Sequence, residues 1–221
     1  MTEHGSKRVF ASAVDWPGWC RGARDEPGAI DALVSYGPRY ADVVGSVKPV
    51  FRPPRNASSL SVVERIGGNA TTDFGAPDGI AEGDTRAIDH RELTRLRSVL
   101  QACWAAFDRA VDDAGGVSLR KGPRGGGREL SAIVGHVVGA EASYLGRFGL
   151  SRPKLDDDRP LDARDGIRAM VLDALASAVN DGQPDHGPRG GAIWTPRRFL
   201  RRAAWHVLDH MWEIEDRSVP A

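Results

Sequence analysis

The stretch Arg202-Ala203-Ala204-Trp205-His206-Val207-Leu208-Asp209-His210-Met211-Trp212-Glu213 sets two histidines four residues apart in an apolar, helix-periodic pattern. On a wheel of about 100° per residue, Arg202, His210 and Glu213 fall within about 40° of His206. Ala203, Val207 and Ile214 flank this stripe on one side, and Trp205 and Trp212 on the other. Arg201, Leu208 and Glu215 point the opposite way. Four ionisable groups therefore occupy the middle of an apolar arc, where their burial costs free energy unless they pair or hold a metal.

Upstream, Thr195-Pro196 supplies a capping residue and a proline at the first helical position, so this helix is expected from Thr195 to about Asp216. Three more amphipathic stretches precede it. One runs from about Thr85 to Ala114, with Leu93, Leu96, Leu100, Trp104, Phe107 and Val111 recurring every three or four residues; Gly115-Gly116 stops it. A second runs from about Arg128 to Gly149, after a glycine-rich loop at Lys121 to Gly127 that lacks the Lys-Ser/Thr ending of a phosphate cradle. A third runs from about Ala163 to Val179, with Ile167, Val171, Leu172, Leu175 and Val179 as its stripe. Four amphipathic helices of this length predict a four-helix bundle over residues 83–221.

Residues 1–82 differ in texture and predict a small α+β domain. Strands are expected at Val9 to Val14 and Gly18 to Arg24, around a Trp16-Pro17-Gly18-Trp19 turn. A helix follows from Pro27 to Val44, then a Pro/Arg linker from Pro49 to Asn56. Leu60 to Ile66 predicts another strand, and Gly67 to Gly83 mostly turn. The fold class is thus α+β.

The chain of 221 residues has 30 basic and 30 acidic side chains, a balance that gives no global pull toward nucleic acid or acidic membranes. Cys20 and Cys103 are too few for a disulfide framework. With no membrane-length apolar run and a polar Met1–Lys7, a cytoplasmic protein is expected.

Histidines at i and i+4 stack one turn apart and can both reach one ion at about 2.0–2.1 Å. His136, at the edge of an arc formed by Leu130, Ile133, Val137, Tyr144 and Phe148, is the other histidine placed mid-helix. His136, His206 and His210 would make a three-histidine site with an open position for water or substrate. The competing reading is a packed histidine pair bonded to Glu213 and Glu141. Arg202 could clamp a substrate carboxylate or pair with a buried acid such as Glu141. Glu213 could orient a histidine N–H or act as a general base, and the orienting role is favoured. Asp209 reads as a surface ion-pair partner, Tyr144 as a core tyrosine with a hydroxyl near the pocket, and His90 as a capping or surface histidine. The run Arg197-Arg198 with Arg201-Arg202 reads as a solvated face.

Glu129-Leu130 through His136 to Glu141-Ala142-Ser143-Tyr144-Leu145, together with Arg202 to Glu213, resembles the DinB family of metal-binding four-helix proteins. The resemblance covers about residues 85 to 217. It implies that His136 and the His206/His210 pair hold a divalent metal, usually zinc or nickel, in an up-down-down-up bundle, often dimeric, so a homodimer is an expectation. Similar families include isomerases and S-transferases that use an external low-molecular-weight thiol. The implied activity is thiol transfer or isomerisation on a small electrophilic substrate; Arg202 and Glu213, read from their own places beside the histidines, are the candidate catalytic residues. A non-catalytic metal- or small-molecule-binding module and a metal-assisted hydrolase stand as alternatives. Val14-Asp15-Trp16-Pro17-Gly18-Trp19-Cys20, with Gly22 and a helix from Pro27, resembles the HicB antitoxin fold, although Pro27-Gly28 departs from that helix's usual start. Without a basic stripe, this unit is expected to be structural or a lid.

Overall fold

The computed structural model describes residues 1–121, 127–155, 160–187 and 190–218. A four-stranded sheet at the N-terminus precedes a helical region, so the chain is α+β. The sheet comprises β1 (Thr2–His4), β2 (Val9–Ser12), β3 (Cys20–Ala23) and β4 (Arg65–Gly67), in the order β3-β2-β1-β4. Antiparallel pairing sets Glu3 opposite Phe10 and Ala11 opposite Arg21. β4 returns parallel to β1, with Thr2 opposite Arg65.

Here the structure departs from the sequence expectations. The polar Met1–Lys7 segment supplies an inner strand, in which Oε1 of buried Glu3 accepts from the Thr72 hydroxyl and the Asp78 backbone N–H, while Oε2 has no hydrogen-bond partner among the described residues. The predicted Leu60–Ile66 strand pairs only from Arg65 to Gly67. The helix expected from Pro27 to Val44 is two: α1 (Glu26–Ser35), capped by Asp25 accepting from the Gly28 N–H, and α2 (Gly37–Val43). Pro38 breaks the run, since it has no N–H to donate to the Val34 carbonyl, and it sits instead in the first turn of α2. A short helix, α3 (Ala70–Phe74), and a 3-10 turn at Glu82–Thr85 interrupt the expected turn region. Asn69 caps α3 reciprocally with Thr72.

Four long helices follow: α4 (His90–Asp113), α5 (Leu130–Arg147), α6 (Pro160–Asn180) and α7 (Pro196–Ser218). Asp89, accepting from the Glu92 N–H, starts α4 several residues later than the periodicity predicted. α6 starts earlier than expected, at Pro160. Thr195 caps α7 as expected, its hydroxyl accepting from Arg198 N–H while donating to the Asp84 carbonyl. Residues 122–126 of the glycine-rich loop and 156–159 of the connection before α6 lie outside the described residues.

α7 sits at the centre. Its start meets that of α4 through Arg197 and Glu92, and its end meets the segment after α4 through Arg120 and the Asp216 carbonyl. Phe199 packs against Phe148 at the end of α5. α5 meets α6 where Glu141 faces Arg168. The opposite side of α7 is buried too. Gly18, at φ +93°, brings its backbone against Leu208 and Ala204, and Phe10 meets the Trp205 ring edge-on at 6.2 Å. Arg201 and Leu208, which the wheel placed away from the histidines, are therefore both buried. The sheet covers the face that a simple amphipathic pattern leaves to solvent. One continuous apolar core runs from Trp19, Leu33 and Tyr40 to Leu100, Phe107, Leu145 and Leu175.

Candidate metal centre

α5 delivers His136, and α7 delivers His206 and His210 one turn apart. The three rings form a nearly equilateral triangle, with centroids 5.0 Å apart for His136–His206, 4.9 Å for His136–His210 and 4.8 Å for His206–His210. One ring nitrogen from each lies within 4.8 Å of the other two. The Nε2 atoms of His136 and His206 stand 3.1 Å apart. Two nitrogens bound to one tetrahedral ion at about 2.0–2.1 Å would stand about 3.3–3.4 Å apart, so this edge needs only a small adjustment.

The donor chemistry also fits. Burial, then the neighbouring His210, pushes the His136 imidazole down to about 4, and burial holds His206 well below its ordinary value. Both rings are therefore neutral near neutral pH, with lone pairs available for an ion. The Glu213 carboxylate lies 2.8 Å from His210 Nδ1 and takes a hydrogen bond from Arg217. The contact from His210, then that from Arg217, holds the Glu213 carboxyl below its usual range against burial. If His210 Nδ1 carries the proton, as this contact favours, Nε2 is the free donor atom. His206 is 6% exposed, and its Nδ1 has no hydrogen-bond partner among the described residues.

The three rings do not share one environment. His206 is buried and His210 half-buried, whereas His136 is exposed, so the triangle opens toward solvent over α5. Tyr144 lies against the other side, its ring edge-on to His206 at 5.9 Å. Burial raises the Tyr144 hydroxyl's pKa, while nearby Arg202 acts to lower it.

Glu141 does not approach the histidines. It is buried toward α4 and α6, where its Oε1 accepts from Trp104 Nε1 and its Oε2 stands 3.9 Å from Arg168 Nε. A pair locked by both Glu213 and Glu141 is thus not what forms. Arg202 contacts neither Glu141 nor another carboxylate within salt-bridge range among the described residues. It donates to the Pro77 carbonyl and stacks over the Trp205 ring, 4.7 Å from its centroid. Asp209 pairs with Arg21 at 3.1 Å, and His90 stands exposed at the start of α4.

The basic run on α7 is not a solvated face. Arg201 is buried, gripping both Asp84 oxygens and the Gly79 carbonyl. Arg197 binds Glu92, and Arg198 reaches the Asp78 carbonyl. Three arginines, at 198, 201 and 202, thus hold the 77–84 segment along the first turns of α7, beside the histidine triangle. The only sequence signal for this strap was four arginines gathered on one side of the helix, in an arc of about 140° at about 100° per residue. Asp84 carried no mark of its own.

No family model, curated protein or solved structure matches the chain. Among the described residues, no helix is long and apolar enough to cross a membrane.

Proposed function

We propose that this chain is a divalent-metal-dependent protein of the DinB type, with zinc or nickel held by His136, His206 and His210. The observation that carries this reading is the convergence of three imidazoles from two helices, with a carboxylate beside the outer nitrogen of one of them. In this reading α4–α7 form an up-down-down-up four-helix bundle. Its support is the meeting of α4 and α7 at matching ends, the Phe148–Phe199 contact that sets α5 against α7, and the Glu141–Arg168 approach between α5 and α6. The N-terminal sheet and α1 serve as a structural cover of HicB-like kind.

A bound ion in such a site supplies Lewis acidity that favours the thiolate of a thiol reaching it from solvent. The chain's own residues fix the rest. Exposed His136 leaves a way in on one side. Glu213 holds the His210 ring in place and favours the tautomer with Nε2 free. Tyr144 and Arg202 lie on the buried side, where a hydroxyl and a guanidinium can orient a polar substrate. Cys20 and Cys103 are both buried, with burial raising their thiol pKa values, so the nucleophile in this reading is an external low-molecular-weight thiol. Thiol S-transfer or isomerisation of a small electrophile is the activity proposed.

The engagement of Arg202 with Pro77 favours one second reading, a non-catalytic metal-binding module that the strap closes. Metal analysis of untagged protein tests the shared premise. About one ion per chain is expected, with none retained in His206→Ala/His210→Ala. A double variant that keeps its ion overturns both readings. Turnover of an electrophilic ester or amide with a mycothiol-like thiol, abolished by the same variant, separates enzyme from module.

A further inference from the structure

A cavity of about 650 Å³ opens in the N-terminal unit, away from the histidines. It lies where the inner face of α1, at Ile30 and Leu33, stands off β2, and where the extended chain at 60–64 forms the far wall. Trp16 and Trp19 line it. Trp19 Nε1 is already satisfied by the Leu33 carbonyl, so its indole adds apolar surface and no open donor. Protein interiors are close-packed, and a space of this size with mostly apolar walls matches small-molecule sites, which run about 300–1,000 Å³.

The rim decides the charge of the occupant. Asp15, Glu64 and Glu82 contribute three carboxylates against two cations, the Arg86 guanidinium and the Met1 α-ammonium, which donates to the Ser12 carbonyl. None of these side chains forms an ion pair among the described residues. Glu64 Oε1 accepts only the Glu82 backbone N–H. The whole chain is neutral by formal charge, so this mouth is acidic by local arrangement and not by composition. Low-dielectric walls beneath such a rim concentrate cations.

We infer that this cavity binds a small organic cation, an aromatic or branched apolar body carrying a protonated amine. The apolar body fills the space between Leu33, Ile30 and the tryptophans, and the ammonium stays at the carboxylate rim. This site is separate from the proposed metal centre.

Phenethylamine and phenylacetate, matched in their apolar ring and opposite in charge, provide the test. Calorimetric titration of the full chain should show millimolar or tighter binding of the amine, weakened by added salt, and none of the carboxylate. Asp15→Asn/Glu64→Gln/Glu82→Gln should weaken amine binding about tenfold while leaving the melting curve in place, because none of the three carboxylates forms an ion pair among the described residues and charges at a solvent-facing rim contribute modestly to stability. Val62→Trp at the cavity wall should abolish it. His206→Ala/His210→Ala should bind the amine unchanged, which keeps this result independent of the metal reading. Equal binding of both probes, no binding of either, or amine binding indifferent to the triple variant and to Val62→Trp would overturn the proposal.

Discussion

Asp84→Ala should be among the most damaging single substitutions outside the apolar core. In the native chain both Asp84 oxygens hold Arg201, and one also accepts the Ala81 backbone N–H. The two side chains are 6% and 10% exposed, so neither charge has much water to fall back on. Removing the carboxylate leaves the guanidinium buried with only the Gly79 carbonyl. Stranding one partner of a buried pair costs about 3–5 kcal/mol. At about 2–4 °C per kcal/mol for a chain of this size, the Tm should fall by about 6–20 °C. The assay is thermal and urea unfolding of four proteins: the native chain, Asp84→Ala, Arg201→Met and the double variant Asp84→Leu/Arg201→Met. The double variant should recover most of the loss, because no charge then remains stranded. Arg39→Ala, whose partners Glu215 and Asp216 are half-exposed, should cost about 1 kcal/mol or less. A loss below about 1 kcal/mol for Asp84→Ala would refute the reasoning. A double variant as unstable as the single would refute it too, because the cost would then not lie in the stranded charge.

Glu141 is 2% exposed, and burial pushes its carboxyl up to about 7. Its folded-state pKa is raised, so its contribution is full below the unfolded value near 4.5 and is lost as pH rises through about 7. Glu141→Gln should flatten the fall in Tm between pH 5 and pH 8, and an unchanged slope would count against the assignment. Glu213→Gln should weaken metal affinity by about 10–100-fold with the fold intact, measured by cobalt titration; unchanged affinity would remove Glu213 from the site. Gly18→Ala should destabilise by about 1–3 kcal/mol, since φ is +93° and the added Cβ would sit 2.9 Å from Leu208 Cδ1. Unaltered urea unfolding would show that α7 can yield there. Cys20, whose thiol burial pushes up to about 12, should resist thiol reagents in the folded chain and react only on unfolding.

The long helices were legible because their apolar residues repeat at helical spacing. Leu93 through Phe107 and Ile167 through Leu175 lie in the core as that spacing predicts. The sheet was harder. β1, with Glu3 as its middle residue, reads as polar, and only contacts with Thr72 and Asp78, far along the chain, make its burial tolerable. The histidine triangle was legible from the spacing of His206 and His210 plus one mid-helix histidine. Its surroundings were not. The wheel identified the face of α7 that carries the histidines, but it could not show that a sheet would cover the opposite face. Arg201 was therefore read as solvated and Arg202 as available for a substrate. Local periodicity describes one helix against one partner, and α7 has partners all round.

That placement has a consequence for chain synthesis. Phe10 and Cys20, made early, have their cover in Trp205, which leaves the ribosome some two hundred residues later. Until then the emerging strands carry a sticky, uncovered side, and the early helices lack the rod they wrap. A nascent chain stalled before α7 should be a chaperone client rather than a half-built domain.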